Sequence, residues 1–157
     1  MTQIENGGRG LTRMTADTTK GRGLALKHRQ ITELIIGVFF DVYNDLGFGY
    51  LESVYRQAMV IALRDAGLRA RREVPLNVYF RGKVVGCFRA DFLVESVVVV
   101  ELKAAAAISG AHEAQLLNYL RGTRLEVGVL FNFGPKPRFR RLVFDPSRIG
   151  TIRVDPR

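Results

Sequence analysis

The chain contains one cysteine, Cys87, and two histidines. A lone cysteine excludes an intrachain disulfide and points to a reducing compartment. Its expected place is that of a small buried hydrophobe. Histidines and cysteine this scattered give no ligand pair at zinc spacing, which argues against a zinc site. No apolar run approaches the ~20 residues that a membrane-spanning helix needs. The N-terminal stretch is rich in Gly, Thr and Arg and lacks the apolar core of a secretory signal. A cytoplasmic protein without membrane attachment is therefore expected. Phosphate-binding Gly-x-x-x-x-Gly-Lys and dinucleotide-binding Gly-x-Gly-x-x-Gly loops are absent, as is a serine elbow, and Cys87 has no obvious histidine partner. No internal repeat is visible.

Apolar residues make up 47% of the 157-residue chain, enough for one domain with a substantial core and too many for a disordered protein. Residues 1–28 lack a hydrophobic period and carry Arg9, Arg13, Lys20, Arg22 and Lys27. They read as a flexible basic leader before a single domain at 29–157. The net charge is +9. Such an excess suits a polyanionic partner, because each cation placed near a phosphate releases counterions, although a solvated basic arm accounts for part of it.

Ile31, Leu34, Ile35, Val38, Val42 and Leu46 recur at helical spacing, with Thr32 or Gln30 as the opening residue and Gly47 as the stop. A second helix is expected from Leu51 to Asp65, ending near Gly67. Strands follow at 74–80 and 84–94, separated by the turn Arg81-Gly82-Lys83. The β-branched run Val97–Val100 reads as a strand buried on both faces, leading directly into Glu101-Leu102-Lys103. A helix is expected from Ser109 to Leu120, closed by Gly122, then strands at 126–133 and 139–144. Three meandering strands followed by a helical crossover predict an α/β (α+β) fold, a mixed central sheet flanked by helices.

Residues two apart on a strand share a face, so Glu101 and Lys103 project together, and a hairpin around Glu95-Ser96 brings Asp91 near them. Two carboxylates give hard oxygen ligands to Mg²⁺, and an adjacent ammonium can orient a water or offset developing charge. A cross-strand salt bridge on a solvated edge is the alternative. Glu52 lies on the apolar stripe of the second helix, and is either a first-turn helix anion or a third site carboxylate. His112, Gln115 and Tyr119 share one face of the third helix. They form either a solvated strip or the wall of the same cleft.

Gly49-Tyr-Leu-Glu52-Ser-Val-Tyr55 carries the Gly-x-x-Glu-x-x-Tyr pattern, and the chain resembles the GxxExxY proteins, small prokaryotic members of the PD-(D/E)XK nuclease superfamily. The resemblance extends through Tyr79–Lys83, Phe88–Val94, Val100–Ala104, His112–Leu120 and Val127–Gly134, covering about residues 31–145. It implies a restriction-endonuclease-like αβββαβ core with Asp91, Glu101 and Lys103 as catalytic residues, Glu52 as the helical acid and Gln115 as the second-helix polar residue. It implies metal held by Glu52, Asp91 and Glu101, with Mg²⁺ or Mn²⁺ as cofactor and DNA as substrate. His112, Tyr55 and Tyr119 are supporting candidates. The family's His-Arg-x-Leu-Gly-Pro-Gly stretch is replaced here by Tyr43–Gly49, with Tyr43 at the histidine position and Phe48 at the proline. Two other readings remain open. One is a catalytically silent module that binds nucleic acid or a protein through the leader and Arg138, Arg140 and Arg141. The other is a homodimer formed through an apolar patch left by the Val-rich strands and the Phe-rich C-terminal half.

Overall fold

The computed structural model describes residues 28–146. Helix α1 spans Arg29–Leu46 and α2 spans Glu52–Asp65. Strands β1 (Ala70–Phe80), β2 (Lys83–Val94) and β3 (Val98–Lys103) follow, then α3 (Gly110–Thr123), β4 (Val127–Phe133) and β5 (Pro137–Val143). The five strands lie in sequence order in one sheet; β3 and β4 are parallel and the other pairs antiparallel. This is the expected mixed sheet with flanking helices, and α3 is the crossover that a parallel pair requires.

Alternation along β3 and β4 divides the core. Val98, Val100, Leu102, Val127, Val129, Phe131 and Phe133 face α1 and α2, whereas Val99 and Leu130 face α3. In the first layer Phe39 stacks on Phe131 at 4.5 Å, and Tyr55 stacks on Phe133 at 4.2 Å. Burial of such side chains contributes about 1.5–3 kcal/mol each. In the second layer Leu116, Tyr119 and Leu120 of α3 cover the sheet, and Phe88 lies 4.7 Å from the Tyr119 ring.

The hairpin of β1 and β2 bends between these layers. Its register passes from Arg72↔Phe92 to Val74↔Ala90, leaving Glu73 and Asp91 without a ladder pair. Glu73 has a left-handed backbone, φ 47°, a conformation costly for a residue with a Cβ. Before the bend Phe92 packs toward α1 and α2; beyond it Val74, Leu76 and Ala90 pack toward α3. The bend places Asp91 where the sheet changes direction.

Several local expectations are revised. Thr32 does not open α1 but lies buried in its first turn, its hydroxyl donating to the His28 and Arg29 carbonyls. Gly47 stops α1 with φ 68°, and α2 ends at Gly67, where Gly67 N–H bonds to Arg64 O and Leu68 N–H to Leu63 O. Gly122 does not close α3, which runs on to Thr123 and turns at Arg124. The reason for a glycine there is close packing: a Cβ would lie 2.8 Å from Val78 Cγ2. Cys87 is exposed rather than buried, because in this arm Phe88 and Ala90 take the inward positions. Val98–Val100, Val127, Val129, Phe131 and Phe133 are interior; exposed apolar side chains stand at the hairpin tip, at Tyr79, Phe80, Val84 and Val85, and around the α1–α2 turn, at Phe48, Tyr50, Leu51 and Val54. Among the described residues no helix is long and apolar enough to cross a membrane. The expected leader lies almost entirely outside the described residues.

Candidate active site at the end of β2 and β3

The β2–β3 ladder ends at Phe92↔Val100. One step further the backbone partner is replaced by a side chain: Leu102 N–H donates to Asp91 Oδ2 at 2.8 Å. Asp91 Oδ1 accepts from Arg56 Nε at 2.7 Å, and the same guanidinium reaches Glu52 Oε1 at 3.1 Å. Thus α2 contributes an acid and a base four residues apart, and the base holds the β2 carboxylate. Glu52 does not act as the N-terminal cap of α2: that position is Leu51, without a side-chain cap bond, and the Glu52 carboxylate is taken up by Arg56.

Glu101 stands beside Asp91 on β3. Both are buried, at 7% and 8% exposure. Burial, then the neighbouring Asp91 charge, pushes the Glu101 carboxyl up to about 8; Lys103 and the Asp91 backbone N–H work against the shift without overcoming it. Glu101 Oε1 is buried with no hydrogen-bond partner. Buried acceptors are rarely left in that state. Lys103, two residues on and half-buried, shares the Glu101 face.

From α3, the buried Tyr119 feels the charge of the same carboxylates. Burial raises its ionisation first, then the charges of Glu101 and Asp91, against a hydrogen bond from Gln115. Gln115, itself exposed, is thus the hydrogen-bond partner of the Tyr119 hydroxyl. His112 is structural: its Nδ1 accepts from Ser109 N–H and its own N–H donates to Ser109 Oγ, a capping box that starts α3. Tyr55 is also structural. Its hydroxyl donates to Gly47 O at 2.7 Å and accepts from Tyr50 N–H, fixing the α1–α2 turn from the opposite layer. Tyr43 donates to Gly134 O at 2.8 Å, within reach of Pro135 O.

Sequence reasoning missed Arg56 and Glu73. The i, i+4 spacing of Glu52 and Arg56 was the available signal for the first; a left-handed glutamate inside a strand gives none. Burial works against the Arg56 charge, but Asp91, Glu52 and Glu73 together hold the guanidinium above its usual range.

Among the described residues, no three His, Cys, Asp or Glu side chains converge tightly enough to enclose a metal ion. Two adjacent carboxylates, one with an orphaned buried oxygen, fit a different case. A hard cation such as Mg²⁺ keeps several waters and takes only one or two protein carboxylates plus a substrate phosphate. The donor set suits that cation and not zinc.

A mixed five-stranded sheet between helical layers, with an Asp and a Glu-x-Lys at the ends of adjacent strands, is the architecture of a restriction-endonuclease-like core. The sequence matches the PD-(D/E)XK nuclease superfamily over residues 29–142, and the chain belongs to that superfamily. Among solved proteins, the crystal structure of SSO0001 aligns with 82% of this chain at 21% identity and a TM-score of 0.48. This chain covers 66% of that protein's length. Comparison with curated protein sequences gave no match.

Proposed function

We propose that the protein is a divalent-cation-dependent phosphodiesterase that cleaves DNA, of the GxxExxY type within its superfamily. The observation carrying this reading is the buried Glu101 oxygen without a partner beside Asp91. Asp91 and Glu101 would hold Mg²⁺ or Mn²⁺, with Glu52 contributing through water. Such an ion acidifies an attacking water and offsets charge on the phosphodiester. Lys103 orients that water and stabilises the charge that builds in the transition state. Gln115 and Tyr119 hold polar groups against the cleft, and Arg56 keeps Asp91 in place. Expectations of a cytoplasmic location and of action on nucleic acid belong to the same reading.

The test is calorimetric titration of Mg²⁺ and Mn²⁺ into the parent and into an Asp91→Asn/Glu101→Gln variant, followed by cleavage assays on single-stranded, duplex and branched DNA. Binding and metal-dependent cleavage confined to the parent support the reading. A parent that cuts no substrate in either ion overturns it. A second reading has one specific support: the Asp91 carboxylate is already ion-paired with Arg56 at 2.7 Å. In that case the protein binds nucleic acid without turnover, and binding persists in the double variant and in chelator. A homodimer would rest on the exposed hairpin tip, and light scattering decides that separately.

A further inference from the structure

A second cleft, of about 320 Å³, opens between the β3–α3 loop and β5. Its walls are Ala106, Ala107 and Ile108 on one side and Pro135, Lys136, Arg138 and Arg140 on the other. Strand pairing ties it to the carboxylates. Lys103 pairs with Asn132, which pairs with Arg138; Glu101 pairs with Leu130, which pairs with Arg140. Directly paired residues point to the same side of a sheet, so these two arginines share the face of Glu101 and Lys103. With strands about 4.8 Å apart, they stand about 10 Å across the sheet from that pair.

The walls are fixed before any ligand arrives. Asn132, buried at 1%, uses its amide in both directions on the loop, accepting from Ala105 N–H at 2.9 Å and donating to Ala105 O at 3.0 Å. Gly134 lets this loop approach, since a Cβ there would collide with the Ala105 carbonyl. Tyr43 pins the turn that carries Lys136 through Gly134 O. Arg140 is oriented by Glu113 at 3.1 Å. Lys136 and Arg138 are exposed and have no counterion among the described residues. Arg141, of opposite parity, does not line the cleft.

Exposed cations in a preformed cleft, on the same face as the carboxylates, match a further anion of a ligand that already has one at Glu101. We propose that this cleft holds a backbone phosphodiester of the nucleic-acid strand flanking the one at the carboxylates, gripped by Lys136 and Arg138. The inference rests on the reading of the site as one for nucleic acid. Its occupant is a strand phosphate rather than a free nucleotide, because two anions must be held about 10 Å apart.

The test is fluorescence anisotropy with short labelled single-stranded and duplex oligonucleotides, in chelator so that nothing is cut, over a series of salt concentrations. Lys136→Ala/Arg138→Ala is compared with Arg121→Ala/Arg124→Ala. The second pair removes equal charge from exposed positions at the far end of α3, about 20 Å along the helix. Loss of both contacts lowers the slope of log affinity against log salt by about 1.4 for a single strand and about 1.8 for a duplex. The control pair keeps the parent slope, and Lys136→Arg/Arg138→Lys restores it. An unchanged slope in Lys136→Ala/Arg138→Ala, or an equal drop in the control, overturns the cleft assignment and leaves nucleic-acid binding standing. Displacement of the oligonucleotide by a deoxynucleoside monophosphate at comparable concentration also overturns it, in favour of a nucleotide site. A parent that binds neither oligonucleotide sinks this proposal together with the functional reading beneath it.

Discussion

Asp91 completes the hydrogen bonding of Leu102: its Oδ2 accepts the Leu102 N–H at 2.8 Å, at the point where β2 and β3 part. A residue expected to serve chemistry is thereby also a structural tie between strands. Asp91→Ala leaves a buried N–H unpaired and Arg56 facing a void. Its expected cost is about 3 kcal/mol in urea unfolding. Asp91→Asn keeps an acceptor for Leu102 and is expected to lose less than half as much. If both variants unfold with the parent, the tie has no energetic weight.

Lys103 is half-buried and has no hydrogen bond or ion pair shown among the described residues. Lys103→Ala should therefore leave the unfolding midpoint close to the parent's while abolishing cleavage. Persistence of parental cleavage rates in the variant removes the lysine from the mechanism.

Glu101 gives the protein a defined pH response. In the folded chain its carboxyl is raised to about 8 by burial and by Asp91, against an ordinary value of 4.5. Between those values the unfolded chain releases a proton that the folded chain retains, so folding stability falls as pH rises from about 4.5 toward 8. The loss is on the order of a few kcal/mol. Glu101→Gln, neutral throughout, should gain on the parent steadily over that range. Added Mg²⁺ should recover the parent near pH 8 and leave Glu101→Gln unmoved. Parallel stability curves for parent and variant across pH would falsify the burial argument.

Gly134→Ala drives a methyl group into the Ala105 carbonyl and to 2.9 Å from Asn132 Nδ2. Overpacking of this kind costs about 1–3 kcal/mol. The Asn132 clamp on Ala105 should loosen, seen as faster amide hydrogen exchange at Ala105. Protection equal to the parent's at that amide would show that the loop is held by other means.

The Glu101–Lys103 pair was legible in the sequence because strand periodicity is strict: once Val97–Val100 reads as a buried strand, Glu101 and Lys103 must share a face. The crossover helix was legible for a similar reason, since nothing else fits between Lys103 and Val127. What stayed hidden depends on partners distant in sequence. Arg56 looks like an ordinary surface arginine until β2 is placed beside α2. Tyr55 and His112 sit in suggestive patterns, yet each spends its polar atoms on a turn or a cap. Cys87 was expected in the core because a free cysteine behaves as a small hydrophobe, and only the hairpin face, with Phe88 and Ala90 turned inward, decides otherwise. Arg138 became part of an extended polar row only through two successive strand pairings.

The Arg56–Asp91 ion pair has a consequence for how the molecule comes into being. Arg56 belongs to the layer on one side of the sheet and Tyr119 to the layer on the other, with Asp91 and Glu101 between them. During synthesis the helix that carries Glu52 and Arg56 emerges before the strands, and the constellation stays incomplete until the third helix has been made and docked. No half-built chain carries the finished set of groups. Whatever chemistry these residues perform is thus reserved for the fully assembled molecule, a form of timing written into chain order and requiring no separate inhibitor.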